Sequence, residues 1–279
     1  MPDRSDQHPL SLIPQAITRV LQESSIAALA TLVEATSGVG SKLLIEEAGA
    51  RTGGLGDSEI EEAVARHAPK FLASRAEAKT FRVEELAEVG VKWRAARVLF
   101  ERIEPEPQLI ICGAGHVGAA LARLALAVGY RATLIDDRAD FLTRQRFPDE
   151  EIKLVHASAG WAEAVRESAG RGRGVSIAVV TRGHNEDEEC MSAAISARPD
   201  YLGLIGSKRR TGIVLERLRE AGAEESLLAK TRAPIGLDIG AVSPQEVALA
   251  ILAEIVAERR GGTGAPLSAW RRARMKDEG

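Results

Sequence analysis

The sequence predicts an α/β protein in which a doubly wound parallel sheet at the C-terminal side follows a smaller N-terminal domain of mixed α/β character. Three observations carry this. From Leu109 onward, short apolar runs alternate with stretches of helix length, the rhythm of a parallel sheet covered on both faces. The first of these runs, residues 109–112, leads directly into Gly113-Ala114-Gly115-His116-Val117-Gly118, a GxGxxG set between strand and helix, which makes the sheet Rossmann-like. Just before it, residues 103–108 read IEPEPQ, where two prolines block regular pairing and the glutamates keep the stretch wet, as in a linker. The boundary is placed there, giving residues 1–104 to the N-terminal domain and 105–279 to the Rossmann-like domain.

In the N-terminal domain, residues 10–23 place Leu10, Ile13, Ile17, Val20 and Leu21 at helical spacing with Pro14 early, a short amphipathic helix. Ser24-Ser25 ends it, and residues 26–33 form a continuous apolar run of strand length. Residues 41–47 follow as a second strand closed by Ala48-Gly49. Gly53-Gly54-Leu55-Gly56 reads as a lead into Asp57-Ser58-Glu59, whose early acidic residues start a helix running to about Leu72. Residues 80–83 and 93–103 complete the domain as strands.

In the C-terminal domain the predicted order is strand 109–112, helix 116–128, strand 132–136, strand 152–156, helix 160–168, strand 175–180, helix 186–197, strand 201–205 and helix 208–220. The last helix opens on Ser243-Pro244-Gln245-Glu246, a capping box with proline in the first helical position, and stops at Gly261-Gly262. Beyond it a basic cluster, Arg271, Arg272, Arg274 and Lys276, reads as a solvated end.

Composition excludes several classes of function. Of 279 residues, 37 are Lys or Arg and 40 are Asp or Glu, a net charge of -3, so no global basic field collects nucleic acid or anionic lipid. Aromatics, at 4%, are too few for stacking platforms. Two cysteines, Cys112 and Cys190, build neither a disulfide framework nor a four-cysteine zinc site, and they suit a reducing compartment, so a cytoplasmic protein is expected. The first eight residues lack the layout of a signal peptide, and no segment approaches the roughly 18 apolar residues of a membrane span. The strand edges of the small first domain leave a homodimer open.

Four segments carry candidate chemistry. In the glycine loop, the first glycine makes the turn, the second lets a phosphate reach the backbone and the third lets helix pack on strand, so Gly113, Ala114, Gly115, His116, Val117 and Gly118 are candidate ligand contacts. Asp136 ends the next strand 23 residues after Gly113, about where a carboxylate accepts from a ribose hydroxyl; Asp137 follows, and Arg138 would tolerate a 2′-phosphate. The second segment is Thr181-Arg182-Gly183-His184-Asn185-Glu186-Asp187. First and fourth strands of a doubly wound sheet are neighbours, so this loop should face the glycine loop and bring Thr181, His184 and Asp187 into the site. A metal site of His184, Asp187 and Cys190 matches no recognised ligand spacing, and none is assigned. The third, Gly206-Ser207-Lys208-Arg209-Arg210, sets three cations at a helix start, where an anion is needed to offset the field. The fourth, residues 233–240, is an apolar, glycine-punctuated loop expected to pack over the crevice with Asp238 as its polar head.

At these segments the sequence resembles the XdhC/CoxI family of xanthine dehydrogenase accessory proteins. ICGAGHVG, LIDDR, VVTRGHNEDEEC, YLGLIGSKRR and APIGLDIGAVSPQEVALAILAEIVAERRGG stand in the family's order over nearly all of residues 108–262. The first hundred residues resemble its N-terminal domain more loosely, through IAALATLVEATSGVGSKLLI and GARTGGLGDSEIEEAV. One departure is plain: where members often carry a cysteine after the Gly-Gly pair, this chain has Leu55.

The resemblance implies an accessory chaperone that binds the molybdenum cofactor (molybdopterin). It would support sulfuration of the cofactor by a cysteine desulfurase partner and insert it into a xanthine dehydrogenase-type apoenzyme, without catalysis of its own. A phosphorylated pterin suits the anion site as well as NAD(P) does, so the glycine loop leaves open an NAD(P)-dependent oxidoreductase with His184 or Asp187 as acid or base. Short-chain dehydrogenase chemistry is excluded, because neither Tyr130 nor Tyr201 is followed by lysine four residues on. A nucleotide-sensing regulatory protein is the third reading.

Overall fold

The computed structural model of the chain describes residues 9–170 and 173–268, apart from the side chains of residues 9–11 and 184. The basic cluster at Arg271, Arg272, Arg274 and Lys276 lies outside the described residues. Two compact units divide the chain, Met1–Pro105 and Glu106–Gly279.

The first unit is an antiparallel sheet of β1 (Ala27–Glu34), β2 (Lys42–Glu46), β3 (Arg51–Gly54), β4 (Ala78–Arg82) and β5 (Arg97–Ile103), in the order β3-β2-β1-β5-β4. Two helices, α1 (Pro9–Gln22) and α2 (Ser58–Ala73), cover its faces. Ala27 and Leu29 of β1 pack with Ile13, Ala16 and Val20 of α1, whereas Ala28, Ala30 and Leu32 pack with Ile60, Val64, Ala68 and Phe71 of α2. Burial on both faces is why β1 reads as an unbroken apolar run. The strand β3 is a departure from the expected glycine-rich lead. A Cβ at Gly53, whose φ is +89, would stand 2.4 Å from the Lys42 carbonyl oxygen and 2.9 Å from Ile13 Cδ1, so the glycine lets the strand pair beneath α1. The strand expected over 93–103 begins only at Arg97, because Trp93 is buried from a 3-10 turn, Val91–Trp93.

The second unit is a five-stranded sheet with every pair parallel: β6 (Gln108–Cys112), β7 (Arg131–Asp136), β8 (Ile152–His156), β9 (Val175–Val179) and β10 (Tyr201–Leu204), ordered β10-β9-β6-β7-β8. On one face lie α3 (His116–Ala127) and α8 (Pro244–Arg260); on the other lie α4 (Trp161–Ala169), α5 (His184–Ala197) and α6 (Lys208–Glu220), with the short α7 (Glu225–Leu228) after them. Leu109 and Ile111 of β6 point into the first layer and Ile110 and Cys112 into the second, the alternation a doubly covered sheet requires. The order reverses at β6, which pairs with both β7 and β9, and in sheets of this kind the ligand crevice lies beyond the C-terminal ends of the strands at that point. Among the described residues no helix is long and apolar enough to cross a membrane.

Candidate functional site

The loop after β6 is built by three glycines with different duties. Gly113 has φ +117, and a Cβ there would meet the Val180 carbonyl oxygen at 2.6 Å, so the loops after β6 and β9 touch backbone to backbone. A Cβ on Gly118 would lie 1.8 Å from the Gly113 carbonyl oxygen, which ties that position to the packing of α3 on the loop. Gly115 differs: its φ of -67 suits any residue, a Cβ would stand in open space, and it caps α3 with no side-chain hydrogen bond. His116 is exposed and Val117 half-buried at the same helix start. The open face of the loop is therefore at Gly115, over the uncapped N–H groups of α3.

Ala114, between the glycines, is buried and held at both ends of its polar backbone. Its N–H donates to Asp136 Oδ2 at 2.6 Å, and its carbonyl accepts from Arg146 Nη2 at 3.2 Å. Asp136 is fully buried and also takes the Arg138 guanidinium on both oxygens. Burial alone would raise its carboxyl, but the Arg138 fork and the N–H groups of Ala114 and Arg138 outweigh that and hold it below the ordinary value. Asp137, half-buried, accepts from Arg182 at 3.0 Å, a pair reaching from the end of β7 to the loop after β9.

Across the crevice, Thr181 donates its hydroxyl to Asp187 Oδ1, and Arg210 donates Nε and Nη2 to Oδ2. Asp187 is fully buried, so this cluster locks the loop after β9 to the first turn of α6. Ser207 caps α6 by accepting the Arg210 N–H at 3.2 Å, Gly206 makes the turn at φ +150, and Lys208 and Arg209 are left exposed. The His184 backbone opens α5, while its side chain is outside the described residues. Cys112 and Cys190 are both fully buried, and burial, with Cys112 beside it, pushes the Cys190 thiol far up. Neither sulfur is open to solvent. Among the described residues no group of three His, Cys, Asp or Glu side chains is set to hold a metal ion.

The apolar loop is only partly a cover. Residues 232–235 run beside β10, with the Arg232 N–H on the Leu202 carbonyl and the Ile235 N–H on the Leu204 carbonyl. Ile235 is buried over Gly203, and Glu254 of α8 accepts both the Gly236 N–H, at 2.9 Å, and the Tyr201 hydroxyl. Past this anchor Asp238, Ile239 and Val242 are exposed. The structure thus gathers the loops and helix starts bearing Gly115, Asp137, Thr181, Asp187, Lys208 and Arg209 at the C-terminal ends of β6, β7, β9 and β10, while Asp238 makes no hydrogen bond or ion pair among the described residues. Sequence reasoning missed Arg146, Phe141 and the Arg182–Asp137 pair, which no local pattern marks.

Residues 109–255 match the family model described as the XdhC Rossmann domain, and residues 20–84 match that of the XdhC and CoxI family. Curated relatives include the uncharacterized protein YqeB of Escherichia coli K12, 34% identical over 57% of this chain and 28% of that protein. A probable xanthine dehydrogenase subunit of Bacillus subtilis is 29% identical over 60% of this chain and 47% of its own length. The molybdenum cofactor insertion chaperone PaoD of E. coli K12 is 28% identical over 56% of this chain and 41% of its own. The matches thus span less than half the length of each of these relatives. A crystal structure of a xanthine dehydrogenase from Bacillus halodurans superposes with a TM-score of 0.66 at 19% identity, covering 91% of this chain and 68% of that one, a likeness of fold.

Proposed function

The chain belongs to the XdhC and CoxI family, and from that premise we propose that it is an accessory protein that binds the molybdenum cofactor and inserts it into a xanthine dehydrogenase-type molybdenum hydroxylase. In this reading the cofactor is held in the cytoplasm while a cysteine desulfurase supplies sulfur to it. The name of PaoD as an insertion chaperone supports the role.

The observation that carries the reading is Gly115, where a Cβ would occupy open space over an uncapped helix start while Gly113 and Gly118 of the same loop are packed against backbone. That cradle fits the phosphate of a phosphorylated pterin: the backbone N–H groups at the start of α3 receive it, and the exposed Lys208 and Arg209 offset its charge. Once inserted, the cofactor supplies the metal centre at which the recipient hydroxylase works. This chain's own part is to bind and to shield. Asp187 acts as a positioning residue, because its carboxylate is committed to Thr181 and Arg210 and thereby fixes the turn that presents Lys208 and Arg209. The buried Cys112 and Cys190 take no part in sulfur transfer.

The test is transfer. Chain loaded anaerobically with isolated molybdenum cofactor is mixed with molybdenum-free hydroxylase, and metal is measured on the separated enzyme. Faster and more complete loading than from free cofactor is expected; equal loading with and without the chain would remove the insertion role.

A further inference from the structure

A sheet of this kind implies a nucleotide ligand. In such sheets a carboxylate at the end of the second strand accepts from the adenosine ribose while the diphosphate crosses the glycine loop. Asp136 stands at that position, at the end of β7, but its surroundings do not fit the group. An ionised carboxylate offers about four acceptor positions. Asp136 has four donors on it, all from this chain. Oδ1 takes the Arg138 N–H at 2.9 Å and Arg138 Nε at 2.8 Å; Oδ2 takes the Ala114 N–H at 2.6 Å and Arg138 Nη2 at 2.9 Å. The residue is also fully buried, so no lone pair is presented to a ribose hydroxyl.

The surrounding residues hold this arrangement in place. The Arg138 guanidinium lies 3.6 Å from the centroid of the Phe141 ring, and Arg146 lies 4.6 Å from the same centroid while donating to the Ala114 carbonyl. A 2′-phosphate fares no better than a hydroxyl, because the cation it would need, Arg138, is already neutralised by Asp136. The Arg182–Asp137 pair joins the loops that follow the two strands flanking β6.

We propose that Asp136, Arg138, Phe141 and Arg146 form a specificity element that closes the β7 side of the crevice to adenosine ribose. The crevice therefore refuses NAD, NADP and ADP-ribose. This concerns which nucleotides are refused and stands independently of the pterin reading, whose tests share none of its probes.

The experiment is calorimetric titration of the chain with ADP-ribose and NAD, for the wild type and for Arg138→Met. Methionine keeps an unbranched stem over Phe141 and removes the guanidinium donors from Asp136. The wild type should bind neither compound more tightly than about 1 mM. The variant should bind ADP-ribose about tenfold or more tightly than the wild type, as a freed hydrogen-bonding carboxylate gains a partner. Wild-type binding tighter than that limit, or an unchanged affinity in a folded Arg138→Met, would overturn the proposal. Should the variant fail to fold, the wild-type titration decides alone.

Discussion

Asp136 accepts the Ala114 N–H at 2.6 Å, so the carboxylate ending β7 supports the glycine loop from beneath. The pair joins two adjacent strands' ends inside the core, and its strength depends on the carboxylate staying ionised.

That dependence has a sign. The folded-state pKa of Asp136 lies below its ordinary value of 3.8, since Arg138 and two backbone N–H groups outweigh burial. Its contribution is therefore present above the unfolded pKa and is lost as pH falls through the folded one. Denaturant midpoints measured from pH 7 down to pH 3 should fall, and Asp136→Asn should start lower at pH 7 and fall less over the same range. An equal pH slope in the two proteins would show that Asp136 is not linked to acid stability.

The three glycines of the loop should separate cleanly. Gly118→Ala places a methyl group 1.8 Å from a backbone oxygen and should destabilise by about 3 kcal/mol through overpacking. Gly115→Leu, whose Cβ meets open space, should leave the melting temperature nearly unchanged while weakening cofactor binding about tenfold or more. Thermal melts and binding on the same samples check both. Loss of the fold in Gly115→Leu would make that glycine structural.

A buried ion pair and its exposed neighbours should behave differently as well. Asp187→Ala strands Arg210 beside Thr181 and should cost about 2–4 kcal/mol, the lower part of the range reflecting an arginine still partly in water. Lys208→Ala and Arg209→Ala should each change stability by less than about 0.5 kcal/mol. If these two variants also bind the cofactor as the wild type does, the α6 turn is no anion site.

The loop after Ile235 hangs on Glu254, which accepts from Tyr201 and Gly236. Glu254→Ala should speed amide exchange of Gly236 and Leu237 and of the residues up to Val242, leaving β6 and β7 as protected as before. Unchanged exchange at Gly236 would show the anchor to be elsewhere.

Most of the fold was legible in the sequence because its signals are local. The GxGxxG after an apolar strand, the alternation from Leu109 on and the Ser243–Glu246 capping box each depend on neighbours in the chain. The juxtaposition of the loops after β6 and β9 followed from topology alone. What was not legible depends on distant contacts. β3 carries two glycines, poor strand formers, and exists because Lys42 pairs with Gly54 and α1 lies against Gly53. Asp136 has the spacing of a ribose acceptor, yet the spacing does not say which way its lone pairs face. Arg146 reaches Ala114 across 32 residues with no periodic signal to announce it. The apolar run around Asp238 does not by itself tell that Ile235 is the residue buried over Gly203 while Asp238 and Ile239 are exposed.

Binding of the molybdenum cofactor in this crevice is tested by an anaerobic titration of the chain with isolated cofactor. Bound molybdenum is counted after gel filtration, with Gly115→Leu run beside the wild type. Saturable binding near one molybdenum per chain, lost in Gly115→Leu, is expected. No retained molybdenum in the wild type, or equal retention in the variant, would contradict it.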